Sequence, residues 1–79
     1  MINYSPNKEA VRYDSYCIGD IVRIKRGRDL FDTQIIACKC IYGAKAPYAY
    51  KVNVYRDNAK NWIEAEYIVG VVEPSGLRD

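Results

Sequence analysis

"YKVNVYRDNAKNWIEAEYI", Tyr50 to Ile68, is the stretch on which the fold turns. At a period of two, Tyr50, Val52 and Val54 share one face and Lys51, Asn53 and Tyr55 the other, as on a half-buried strand. After the polar turn "DNAK", the segment "NWIEAEYI" pairs back as a second strand. A symmetrical hairpin sets Tyr55 against Trp62, Asn53 against Glu64 and Lys51 against Glu66 on the exterior. Inside, Val54 meets Ile63 and Val52 meets Ala65. Every exterior pair is then aromatic, polar or oppositely charged, and such pairs stabilise a sheet modestly. The competing reading of residues 59–69 is a helix, capped by Asn58 and stopped by Gly70. The β-branched and aromatic content and the clean pairing favour the strand.

The same period runs upstream. In "GDIVRIKRG", Gly19 to Gly27, Val22 and Ile24 form a core pair with Asp20 on their face, while Ile21, Arg23 and Lys25 share the other. "RGRDLFDTQ" reads as a polar loop holding Leu30 and Phe31. In "QIIACKCIYG", Lys39 should meet water with Ile35, Ala37 and Ile41 on its face. That turns Ile36, Cys38, Cys40 and Tyr42 inward, the cysteines as small hydrophobes. "GAKAP" is a turn, "GVVEP" a short closing strand and "SGLRD" a loose tail. The expected core is Val22, Ile24, Ile36, Val52, Val54 and Ile63. At the N-terminus, Ser5 before Pro6 resembles an N-cap with proline in the first turn. Residues 1–16 are thus a short helix over "PNKEAVRY" or an irregular arm, 17–73 the body and 74–79 a tail.

Composition narrows the chemistry. Seventy-nine residues make one domain, and with 49% apolar residues the chain is globular rather than disordered. It has no His and three cysteines, Cys17, Cys38 and Cys40, without a C-x-x-C pair. A four-ligand Cys/His zinc site and His-based triads are therefore excluded within one chain. No catalytic residue, metal or cofactor is expected. No apolar run approaches the about 20 residues needed to cross a bilayer, and "MINYSPNKEA" lacks a signal peptide's apolar centre. The reading is cytoplasmic, with no membrane contact.

Five short strands, the Gly19-Asp20-Ile21-Val22 opening, Val52-Asn53-Val54 and Trp62-Ile63 together resemble the SH3-like small-barrel superfamily, which includes Tudor and KOW domains. The resemblance spans residues 18–73 and implies a mainly β fold, a small antiparallel five-stranded barrel with a long first loop. Gly19, Asp20, Val22, Arg23, Lys25, Gln34 and Ile35 also fit the outline of the plasmid-encoded trimethoprim-resistant dihydrofolate reductases. The Val-Gln-Ile-Tyr signature of that family is replaced here by Asn61-Trp62-Ile63-Glu64, a departure that ranks reductase activity below the binding readings.

Two surfaces are candidates for binding. Tyr55 and Trp62, with Phe31, Tyr48 and Glu64, form an aromatic face with acidic flanks. In SH3-like barrels such a face takes a proline-rich peptide or, in Tudor-type domains, a methylated basic side chain. Arg23, Lys25, Arg26 and Arg28, extended by Lys39, form a basic patch able to contact phosphates. A net charge of only +2 argues against a dedicated nucleic-acid binder. The expectation is a non-enzymatic recognition module, a small bacterial or bacteriophage regulatory protein that binds a protein partner. The alternative is nucleic-acid binding through the basic patch. A small-ligand-binding oligomer or reductase comes third.

Overall fold

Arg26 and Asp29 are Cα partners, so only Gly27 and Arg28 separate strand β1 (Ile21–Arg26) from strand β2 (Asp29–Lys39). Gly27 has φ +60°, and no other residue type has positive φ among the described residues, which fits a type II′ hairpin turn with glycine first. The expected polar loop over 26–34, and with it a long first loop, is replaced by this tight turn. "DLFDTQ" carries enough alternation to continue the ladder. The computed structural model describes Tyr4, residues 6–52 and residues 62–76.

Three further strands complete one antiparallel sheet: β3 (Ala49–Val52), β4 (Trp62–Glu64) and β5 (Ile68–Glu73). Their order is β4-β3-β2-β1-β5, with β4 and β5 at the edges, so the mainly β class holds while the sheet stays open. The 3-10 turn Ala65–Tyr67 leads from β4 into β5. The helix considered for residues 59–69 is not formed over residues 62–69. Nor does the fourth strand run to Ile68: the Ala65 N–H still donates to the Tyr48 carbonyl at 2.9 Å, in register with β3, and the chain turns from there.

The core combines both ends of this order. Tyr16, Val22, Ile24, Ile35, Tyr50, Val52, Ile63, Ile68 and Val71 form one buried cluster. Ile63 on β4 and Val71 on β5 have three strands between them in the sheet, so the sheet must curl to bring them into one cluster. Bulges supply that curl. The β1–β5 register shifts twice, and the β2–β3 register shifts between Ile35 and Ala37. Tyr16 stands edge-on to Tyr50 with centroids 5.6 Å apart, and its backbone N–H donates to the Tyr50 hydroxyl at 3.1 Å. Each such buried side chain stabilises the fold by about 1.5–3 kcal/mol.

Val22, Ile24, Val52 and Ile63 point inward as the alternation requires. Ile36 does not: it is exposed, and Ile35 takes the core position opposite Val52. The cause is register. Thr33 opposes the buried Val22, which sets the odd-numbered positions of β2 inward before the bulge at Ile36 changes the phase. Cys38 opposes Tyr50 but lies at the strand's exposed end, and Cys40 and Tyr42 are exposed beyond it. Val54 lies outside the described residues.

The β3–β4 register also differs from the symmetrical hairpin. Ala49, Tyr50 and Lys51 oppose Glu64, Ile63 and Trp62, a slip of four residues. Lys51 therefore faces Trp62, not Glu66, and Trp62 is not opposite Tyr55. An even slip leaves every side chain on its face, which is why the inward set survives. Residues 53–61, including Tyr55, lie outside the described residues.

The segments before β1 and after β5 are both tied to this body. Pro6 and Asn7 form a turn rather than the start of a helix, and Val11 exchanges backbone hydrogen bonds with Val71 at 2.9 and 2.7 Å. A helix of eight residues is marginal in water, and pairing with β5 satisfies the same backbone groups. The "SGLRD" segment is held at its start, because the Ser75 N–H donates to Asp20 Oδ1 at 2.7 Å. The other oxygen of this fully buried carboxylate accepts from the Cys17 N–H at 2.9 Å. Asp20 thus joins the segment before β1 to the segment after β5.

Candidate recognition face

The outward side of β2, β3 and β4 carries two rows of neighbours. Ala37, Lys51 and Trp62 form one, and Lys39, Ala49 and Glu64 the other. Ala49 is small, so the Lys39 side chain crosses it and sets Nζ 4.3 Å from the Trp62 ring centroid, over the half-buried indole. This cation–π contact fixes the ring with a positive charge already on it. Lys51 adds a second cation directly across from the indole.

Tyr48 enters from the segment before β3. Its N–H donates to the Lys39 carbonyl at 3.0 Å and its carbonyl accepts from Ala65, so its backbone is pinned between β2 and the 3-10 turn. The Tyr48 side chain remains exposed. Beside it, residues 41–44 make a tight turn. The Ala44 N–H donates to the Ile41 carbonyl at 2.8 Å, and Gly43 has φ +83°, the third-position angle of a type II turn. Tyr42 at the second position is fully solvent-exposed, with Ile41 also exposed next to it.

Acidic groups border the face. Glu64 is exposed, and a hydrogen bond with it raises the pKa of Glu66, helped by the like charge of Glu64. The Glu66 carboxyl therefore keeps its proton more readily than an isolated side chain does.

Of the residues assigned to the aromatic face, Trp62 and Glu64 lie two apart on β4, and Tyr48 is exposed in the segment before β3. Phe31 opposes Ile24 near the other end of β2 and packs against the core. Tyr55 lies outside the described residues. The basic patch is dispersed. Arg23, expected to face solvent, is only 8% exposed. Its Nε and Nη2 donate to Asp32 at 2.9 and 3.3 Å, its Nη1 donates to the Lys8 carbonyl at 2.8 Å, and its guanidinium lies 4.6 Å from the Tyr4 ring centroid. The N-terminal arm covers this side of the sheet, which local periodicity does not reveal. Lys25 and Arg28 are exposed at the β1–β2 turn, and Arg26 is half-buried with its guanidinium 5.5 Å from the Tyr67 ring centroid. Lys39 stands at the opposite end of the eleven-residue β2, with Trp62 rather than with the arginines.

Sequence reasoning placed Lys39 with the wrong group and missed Lys51. The signal for both was the spacing of Lys39, Lys51 and Trp62 once the correct register is applied. Among the described residues, no helix is long and apolar enough to cross a membrane. Compared with known proteins, the chain matches no family model, no curated protein and no solved structure.

Proposed function

We propose that the protein is a non-enzymatic recognition module of the SH3-like small-barrel type that binds a protein partner through the Trp62 face. One observation carries the reading: Lys39 Nζ held 4.3 Å from the Trp62 ring centroid, with Lys51 opposite the same indole. Tryptophan is among the residue types that dominate binding energy at protein interfaces. Tyr48, Ile41 and Tyr42, in the connection between β2 and β3, are exposed as well. Because Lys39 occupies the ring, a methylated basic side chain would have to displace it. A partner offering an apolar group to Trp62 and an acidic group to Lys39 and Lys51 fits without rearrangement.

Five antiparallel strands, with the fifth returning to pair with the first, support the small-barrel reading, while the two-residue first turn departs from it. The nucleic-acid alternative loses Arg23 to Asp32 and is left with Lys25, Arg26 and Arg28 around one turn.

Affinity capture with the intact chain, compared with Trp62→Ala and with Arg26→Ala combined with Arg28→Ala, tests the choice. The expected result is one captured protein whose binding falls at least about thirtyfold in Trp62→Ala. It should be unchanged in the arginine variant. A salt-sensitive shift of a labelled oligonucleotide that depends on the arginines and not on Trp62 would overturn the reading.

A further inference from the structure

The N-terminal arm sits on β1 and β5 as a peptide sits in a receptor groove, and its backbone makes most of the contacts. Val11 exchanges hydrogen bonds with Val71 at 2.9 and 2.7 Å, adding one rung beside the six-residue β5. The Lys8 carbonyl accepts from Arg23 Nη1 at 2.8 Å, and the Lys8 ammonium pairs with Glu73. The Arg23 guanidinium lies 4.6 Å from the Tyr4 ring centroid. Gly70 keeps the floor of the groove clear, since a Cβ there would stand 2.8–2.9 Å from backbone atoms of Ala10 and Val11.

We propose that this groove is also a docking site for the N-terminal arm of a second copy of the chain, so that two copies associate by exchanging arms. The groove fits one sequence, Tyr4 to Val11, and a second copy carries the same aromatic, Lys and Val at the same spacing. Every contact named above runs from arm to body, so an exchanged arm re-forms each of them. The side chains of residues 6–9 and of Val11 are exposed in the closed chain, so lifting the arm breaks few apolar contacts of its own. The edge strand it leaves is a template for pairing with another chain.

The connection is long enough for the transfer. Residues 12–14 are exposed, and the next buried residue, Tyr16, is five positions past Val11. Straightened, five residues reach about 17 Å, more than three strand spacings of about 4.8 Å. Within one chain the tether gives its own arm a high effective concentration, so the dilute wild type stays largely monomeric.

Two full-length variants separate arm from groove. Gly70→Ala blocks the groove and keeps the arm, whereas Val11→Pro removes the arm's N–H donor and keeps the groove. By light scattering after gel filtration, each alone should be monomeric. Mixed in equal amounts they should form a heterodimer of twice the chain mass, because the intact arm of one meets the intact groove of the other without competition in cis. Adding Tyr4→Ala to the Gly70→Ala chain should weaken that heterodimer about two- to fivefold. Circular dichroism verifies folding. A synthetic peptide of residues 4–12 supplies the arm independently of the Gly70 variant: it should bind the Val11→Pro chain and, in excess, dissociate the heterodimer. A mixture that stays monomeric, with no binding of the peptide, would overturn the proposal and leave the arm a cover for its own chain. So would dimers of either variant alone, which would mean association through another surface, or a heterodimer indifferent to Tyr4.

Discussion

Arg23 and Asp32 face each other across β1 and β2, joined by Nε to Oδ1 at 2.9 Å and Nη2 to Oδ2 at 3.3 Å, and the carboxylate is fully buried. That hydrogen bond, together with attraction to Asp32, holds the guanidinium above its ordinary pKa against burial, which pulls it down. The pair turns a basic residue on the outer face of the first strand into a structural one.

Arg23→Ala leaves the Asp32 carboxylate buried without its cation. The expected destabilisation is about 3–5 kcal/mol, against a total of about 4–12 kcal/mol for a chain of this length. Replacing both partners, Arg23→Met with Asp32→Leu, should recover most of the loss or exceed the wild type. Urea unfolding of the wild type and the two variants reads this directly. Equal destabilisation in the single and double variants would show that the pair is not what matters.

Thr33 is fully buried opposite Val22, and its hydroxyl has no hydrogen-bond partner among the described residues. An unsatisfied buried hydroxyl costs about 1–3 kcal/mol. Valine has nearly the same shape and favours strands. Thr33→Val should therefore stabilise the fold by about 1 kcal/mol, raising the urea midpoint without changing the slope. A lowered midpoint would mean that the hydroxyl is satisfied in solution.

Gly70 is required by the N-terminal arm rather than by its own backbone angle. A Cβ there would lie 2.8 Å from the Val11 carbonyl carbon and oxygen and 2.9 Å from the Ala10 carbonyl carbon. Backbone atoms cannot swing aside as a side-chain tip can. Gly70→Ala should cost about 1–3 kcal/mol and push the arm off β5. The Val11 and Val71 amides, which hydrogen-bond to each other's carbonyls, should then exchange with solvent far faster. Unchanged exchange at both amides would rule this out.

The alternation of Val22 and Ile24, and of Tyr50 and Val52, was readable because period two places them on one face whatever they pair with. The β3–β4 register was not readable. Several even slips satisfy the same alternation, and only three-dimensional packing chooses between them. Ile35 and Ile36 are adjacent and equally apolar, so the choice rested on Lys39 facing water. That inference passes through the bulge at Ile36, which breaks the phase. At the candidate site Trp62 and Glu64 were legible as outward neighbours on one strand. The Lys39–Trp62 contact was not, since it depends on the register and on the small side chain of Ala49. Burial of Arg23 depends on an arm about fifteen residues away in sequence, beyond the reach of local pattern.

The Glu64–Glu66 pair gives the fold a pH dependence beside the Trp62 face. The pKa of Glu66 is raised, first by the hydrogen bond with Glu64 and then by the like charge. The unfolded chain lacks this arrangement, so the folded state holds the Glu66 proton more tightly. The resulting stabilisation is fully present below the unfolded carboxylate pKa and is lost as pH rises through the raised folded value. Glu66→Gln supplies a donor to Glu64 at every pH and removes the repulsion. Its urea midpoint should match the wild type at low pH and exceed it progressively as pH climbs through the carboxylate range. A gap between the two that stays constant with pH would mean that the pair does not share a proton, and that the face carries both negative charges throughout.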